Sequence, residues 1–220
     1  MNKLHVDSIL KSFGTEQILT DIYLSCTSGE IIGLLGRNSS GKSTLLKIIF
    51  GSLNAENKYI KINEKIIHRF NQSQNIIKYL PQDNFIPGNI KNKQIIKLLC
   101  NKNGRQILFN HELIKPLLNK RYRYLSGGEK RLVEIFAMIN SDSKFLLLDE
   151  PFNGIAPIHK EAVKEMLKKH TKTKGMIITD HDYRNIIDVA SKLVLLHDGG
   201  LKDIKTKDDL KYWGYLTETA

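Results

Sequence analysis

Apolar and polar positions change period several times along the chain, and each change marks an element. Residues 3–35 read as extended chain broken by turns: LHVDSILKSF, then ILTDIYLSC with Ile18, Leu19, Ile22 and Leu24 apolar, then a turn at Ser28-Gly29-Glu30. The next run, IIGLLG, is short and wholly apolar, the pattern of a strand buried on both faces. KSTLLKIIFG (42–51) places Leu45, Leu46, Ile48 and Ile49 on a helical repeat and ends at Gly51, a C-cap. Residues 58–67 alternate and predict one half-exposed strand, whereas 90–120 carry IIKLLC and ELIKPLL, which predict short helices. The C-terminal half then alternates apolar runs with helical segments: KFLLLD, IHKEAVKEMLKKH, GMIITD, DYRNIIDVASK, KLVLLHDG. That order predicts a parallel sheet with helical crossovers. The tail KDDLKYWGYL (207–216) spaces Leu210, Trp213 and Leu216 three apart, as in a helix docked on the body, with a partner-binding helix as the alternative.

Composition narrows the class. With 41% apolar residues and 15 glycines in 220, the chain is globular, of a size for one domain or one with a small insertion. Cys26 and Cys100 make no disulfide framework and cannot complete a four-ligand zinc site, which suits a reducing compartment. Apolar runs such as IIGLLG fall far short of the ~20 residues a spanning helix needs. The opening MNKLHVDSIL puts His5 and Asp7 where a signal peptide needs unbroken apolar chain. A net charge of +11 fits a nucleic acid, an anionic membrane surface or a phosphate-bearing ligand, and does not choose among them. Most lysines fall in 160–174 and 202–211, which read as solvated helix faces.

The motifs choose. Gly36-Arg37-Asn38-Ser39-Ser40-Gly41-Lys42-Ser43 fits G-x-x-x-x-G-K-[ST] directly after a predicted strand and at the start of a predicted helix. Glycines there let successive amides turn toward phosphate oxygens, with the helix N-terminus behind them. Lys42 would reach the β- and γ-phosphates, the Ser43 hydroxyl would complete an octahedral Mg²⁺ shell, and Thr44 would support the α-phosphate side. A second element, KFLLLDE, delivers Asp149 and Glu150 to the carboxyl end of a buried strand, where ligands bind in open α/β sheets. A Mg²⁺ held through Asp149 would relieve the paired charge and leave Glu150 to orient or deprotonate an attacking water. Together these two elements predict a nucleoside triphosphatase, without saying which kind.

The kind follows from Leu125-Ser126-Gly127-Gly128-Glu129, set before a helical run and twenty residues ahead of Asp149-Glu150. Here the chain closely resembles the ATP-binding cassette (ABC) ATPases, whose hallmark is LSGGE at a helix N-terminus. The Ser126 hydroxyl and the Gly127 and Gly128 amides make an anion site of the same physical kind as the phosphate loop. The resemblance implies an α/β P-loop fold with a mixed central sheet and an N-terminal antiparallel β-subdomain, spanning 1–84 and 145–220. It also implies a small helical subdomain over 85–144 that carries the signature. It implies ATP and Mg²⁺ as ligands, Phe13 as the aromatic on adenine, and Gln82 as the residue reaching the metal and the water. His181 would be the switch histidine on the γ-phosphate.

The resemblance further implies a head-to-tail dimer, homo- or heterodimeric, in which each signature meets the ATP of the other cassette. Membrane-spanning transporter subunits are the implied partners, met near Gln82 and 85–120, with the cassette peripheral on the cytoplasmic face. Nucleic acid is not the expected partner, because long coiled coils, zinc modules and a second cassette are all missing from the sequence; a regulatory ATP-binding module is the other alternative. Two positions depart from the pattern: Ala156 stands where the family has an interface aspartate, and Ser39 replaces a common glycine. DEPFNGI and ITDHD are similar to cassettes of branched-chain amino-acid uptake and lipopolysaccharide export, while cargo is chosen by partner chains.

Overall fold

In the computed structural model, which describes residues 1–68, 72–73 and 75–216, two sheets share the chain. The first joins β1 (Lys3–Phe13), β2 (Glu16–Thr27), β4 (Asn57–Ile62) and β5 (Lys65–Ile66) in the antiparallel order β2-β1-β4-β5. The second contains β3 (Ile31–Leu35), β6 (Ile77–Leu80), β7 (Phe145–Asp149), β8 (Gly175–Thr179), β9 (Lys192–His197) and β10 (Gly200–Ile204), in the order β10-β9-β3-β8-β7-β6. Its neighbours pair in parallel except β10, which returns antiparallel on β9. The result is the expected mixed sheet.

Strands β3, β7 and β8 are buried along their whole length, which is why their sequences are unbroken apolar runs. Their residues still divide by period two between two cores. Ile32 and Leu34 of β3 and Phe145 and Leu147 of β7 face the antiparallel sheet and α1 (Lys42–Phe50). Ile31, Leu35, Leu146 and Leu148 face the other side. That side is covered by helices including α4 (Gly127–Ile139) and α5 (Pro157–Thr171). At Gly33 a Cβ would come within 2.7 Å of Leu193 Cδ2 and collide with Ile186, so the close approach of α6 (Tyr183–Ile187) requires glycine there.

Several elements differ from the sequence expectation. The strand expected over 58–67 is a hairpin of β4 and β5, because Asn63 turns left-handed (φ 52°) while its carboxamide oxygen accepts from the Lys3 amide. ELIKPLL shrinks to a 3-10 turn at Lys115–Leu117, since Pro116 has no amide with which to extend a helix. Besides α2 (Asn92–Leu99), the region holds α3 (Lys102–Asn110), started by the Asn101 side chain accepting from the Gly104 amide at 2.7 Å. The helix expected from DYRNIIDVASK is only α6. Residues 202–204 belong to β10, joined to β9 through Asp198 and Gly199, both at positive φ, so this part of the lysine-rich tail is not a helix face.

Two lysines of the 160–174 segment are not solvated either. Lys164 is paired with Glu161 and Asp188, and Lys174 donates to the carbonyls of Ser141 and Ser143 beyond the α4 C-terminus. The tail forms α7 (Lys207–Tyr212), docked through the buried Leu210, while Trp213 lies against the His197 ring. None of the described helices is long and apolar enough to cross a membrane.

Candidate functional site

The phosphate-loop pattern lies between β3 and α1, and its geometry follows from two constraints. Gly41 adopts φ 104°, and a Cβ there would sit 2.7 Å from Ile18 Cγ2, so only glycine lets the loop turn against β2 into α1. Lys42, buried at the first position of α1, donates through Nζ to the carbonyls of Gly36 at 2.8 Å and Arg37 at 2.9 Å. Burial lowers the Lys42 ammonium below its ordinary value, and the charges of Glu150 and Asp149 oppose that shift.

The loop forms one wall of a cleft of about 460 Å³. Asn38, Ser39, Ser40, Gly41, Lys42, Ser43 and Thr44 line it together with Gln82, Glu150 and His181. Phe13 stands at the rim, 51% exposed at the end of β1, with Lys11 Nζ 4.9 Å from its ring centroid. An apolar ring left this open at a cleft edge is available for stacking. Ser39 takes φ 63° where a glycine would be unstrained. Gly36 and Arg37 do not line the cleft; the Arg37 guanidinium turns away to donate to the Gly214 carbonyl at 2.8 Å.

Glu150 follows β7 in a left-handed conformation (φ 47°), fixed by its amide donating to the carbonyl and the hydroxyl of Thr179, both at 3.1 Å. Such a conformation in a non-glycine residue costs of order 1 kcal/mol and persists because neighbours hold it. Its carboxylate accepts from Gln82 Nε2 at 3.1 Å and lies 3.8 Å from His181 Nδ1. Asp149, 1% exposed, lies behind the lining residues, its carboxylate accepting from the Thr179 hydroxyl at 2.8 Å and the Tyr79 hydroxyl at 2.9 Å. Burial and Asp149 push the Tyr79 hydroxyl above the ordinary phenol range, so it stays a donor. Among the described residues no cluster of three or more His, Cys, Asp or Glu forms a ready metal cage. The Ser43 hydroxyl, Gln82 carboxamide oxygen and Asp149 carboxylate are hard oxygen donors of the number and kind that Mg²⁺ takes when phosphates complete its shell.

The signature residues lie elsewhere. Ser126 caps α4 by accepting from the Glu129 amide at 3.2 Å, and the Glu129 carboxylate accepts from the Ser126 amide at 2.8 Å. Ser126 and Gly127 are exposed, and neither they nor Gly128 line the cleft. Gly128 packs against the loop before α5, where a Cβ would stand 2.9 Å from the Gly154 carbonyl oxygen. Ala156 occupies the N-cap of α5 and offers no side-chain bond to it.

Sequence motifs did not mark Tyr79, Thr179, Asp180, Arg131 or Glu134. Asp180 is fully buried next to His181, with Oδ1 accepting from the Asp182 amide at 2.8 Å, Oδ2 unpartnered, and burial raising its carboxyl above the ordinary range. For Thr179 and Asp180 the one signal was position, polar groups at the carboxyl end of the apolar run IITD; Tyr79 lies within the run IKYL and Arg131 and Glu134 lie within the helical run of α4, where no motif marks them.

A family model described as ABC transporter matches residues 19–153. The lipopolysaccharide export system ATP-binding protein LptB of Haemophilus influenzae is 30% identical over 213 residues, spanning 90% of this chain and 88% of that protein. Its Escherichia coli K12 namesake is 29% identical over 216 residues, with 91% and 89% covered. Among solved structures, an ATP-binding subunit of an ABC transporter superposes with a TM-score of 0.83 at 22% identity, covering 98% of this chain and 94% of that one. A nucleotide-free ATP-binding cassette from an ABC transporter gives 0.79 at 20% identity, covering 99% and 97%.

Proposed function

The chain belongs to the ABC transporter ATP-binding family, and from that premise we propose that its cleft hydrolyses ATP to drive transport through separate membrane-spanning partner subunits. One observation carries the reading. Glu150 lines the same cleft as the phosphate loop, with Gln82 bonded to its carboxylate and His181 beside it. Amides of 38–44 and the α1 N-terminus would receive the phosphates, and Phe13 the adenine. Lys42 would move its ammonium from the Gly36 and Arg37 carbonyls onto the β- and γ-phosphate oxygens. His181 would hold the γ-phosphate while Glu150, oriented by Gln82, accepts the proton of the attacking water. Bound at Ser43, Gln82 and Asp149, Mg²⁺ would supply neutralising charge on the β- and γ-oxygens.

The exposed signature supports a head-to-tail dimer in which Ser126, Gly127 and Gly128 of one chain complete the cleft of another. Phe85 and Tyr124, 42% and 66% exposed on loops joined by the Arg123 amide and the Gly88 carbonyl, support a partner surface beside Gln82. Docking there would hold the cassette at the cytoplasmic face of a membrane. The curated relatives named above are components of lipopolysaccharide export, and an export role for an amphiphilic cargo is the reading they favour.

The test is Glu150→Gln. Its expected result is unchanged ATP affinity by equilibrium titration, with steady-state turnover lowered by roughly two to three orders of magnitude. Turnover at the unsubstituted level would overturn the assignment of the base.

A further inference from the structure

Helix α4 carries two charged side chains on its buried face. Arg131 is 3% exposed and Glu134 is fully buried, with the guanidinium 3.5 Å from the carboxylate. An apolar pair of similar volume would be at least as stable, because desolvating two ions costs about as much as their attraction returns. Packing alone therefore does not account for them, and their remaining bonds run to the cleft.

Arg131 donates to three backbone carbonyls: Pro81 at 2.7 Å, Asp149 at 2.6 Å and Glu150 at 3.0 Å. Glu134 accepts from the Asn84 carboxamide at 3.0 Å, the Phe85 amide at 3.2 Å and the Tyr122 hydroxyl at 2.5 Å. The pair thus grips the chain on both sides of Gln82, at 81 and at 84–85, and holds the peptide of Glu150 at its left-handed turn. Through Tyr122 it also holds the short turn just before Ser126. Three segments distant in sequence, 81–85, 122–124 and 149–150, meet on one buried ion pair, and the rigid planar fork of Arg131 reaches Pro81 through Nη1 and Asp149 and Glu150 through Nη2.

We propose that Arg131 and Glu134 form a positioning pair that sets Glu150 and Gln82 relative to the signature helix. A displacement of the Phe85 surface, or of the α4 N-terminus, then reaches the hydrolytic carboxylate as a change in its alignment. The inference rests on the reading of Glu150 as the base. Apart from its ion pair with Glu134, Arg131 touches only backbone, and it acts through Glu150.

Arg131→Lys keeps the charge but cannot reach the carbonyls of Pro81 and Glu150 together. Its expected effect is a fall in kcat of roughly tenfold to a hundredfold with KM for ATP within about twofold, the scale at which a misplaced group costs rate without binding. Asn84 is exposed, so Asn84→Ala removes one arm without opening the core; kcat should fall about threefold with the melting temperature unchanged. Single-turnover hydrolysis in the Glu150→Gln background discriminates position from mere integrity. There Arg131→Lys should add no further loss, because the group it aligns is already gone. An equal fold-loss on both backgrounds, or a rise in KM matching the fall in kcat, overturns the proposal. Unaltered turnover in Asn84→Ala overturns the arm through Glu134. Unaltered turnover in Glu150→Gln alone overturns the base reading instead, so the two failures are told apart by the single variant.

Discussion

Asp180 holds a carboxylate in a place that disfavours charge: it is fully buried, and one oxygen has no partner. Its raised pKa means the folded state binds a proton more tightly than the unfolded state does. Between the ordinary aspartate range and that raised value the native form therefore holds more protons, and stability falls as pH rises through the window. Asp180→Asn keeps the acceptor for the Asp182 amide and removes the charge. It should stabilise the fold by of order 1 kcal/mol near pH 7, with the advantage vanishing near pH 4. Urea unfolding of both proteins at the two pH values measures this, and an equal gain at both would refute it. The residue lies 3.6 Å from His181 Nδ1, so the gain is expected at the expense of turnover. This position was invisible in sequence for the same reason as Tyr79 and Thr179. Their meaning lies in bonds to Asp149 from residues 70 and 30 positions away, whereas the phosphate loop is legible because its chemistry fits in eight consecutive residues.

At the scale of elements, α4 and α5 start differently. Ser126 and Glu129 close a reciprocal cap on α4, whereas at α5 Pro157 brings no amide to be capped and the His159 and Lys160 amides donate to the Ala156 carbonyl. Ala156→Asp, the residue the family pattern has there, should supply the missing acceptor. The expected gain is about 1 kcal/mol, or roughly 2–4 °C in Tm for a chain of this size, read by thermal melting. A lowered Tm would mean the aspartate clashes with the Gly154 loop. Elements buried on both faces were readable because burial leaves no polar position to confuse the period: β3, β7 and β8 fall within their apolar runs. Missed elements are those held by one local device. Helix α3 depends on the Asn101 cap in a polar stretch, and β10 depends on Asp198 and Gly199 reversing the chain.

For the whole molecule, charge has been divided among several tasks. Lys42 and Lys174 bind carbonyls, Lys164 binds two carboxylates, and lysines such as Lys168, Lys169 and Lys172 are exposed. The larger consequence concerns assembly. The lining of the cleft includes no residue of the signature helix, and the head-to-tail dimer proposed above can be tested directly. Glu150→Gln with ATP and Mg²⁺ should sediment as a dimer, and the same protein with ADP as a monomer. A monomer under both conditions, at concentrations well above the nucleotide affinity, would exclude the paired arrangement.

The order of the mixed sheet sets a timetable for synthesis as well. Strand β3, which launches the phosphate loop, pairs among the described residues only with β8 and β9. Both neighbours leave the ribosome some 140 to 160 residues after β3, a wait of roughly ten to thirty seconds at ordinary translation speeds. Through that interval the most apolar strand of the nucleotide site has no partner. A nascent chain stopped before Gly175 should be unable to retain ATP and should be a preferred client of chaperones that bind exposed apolar segments.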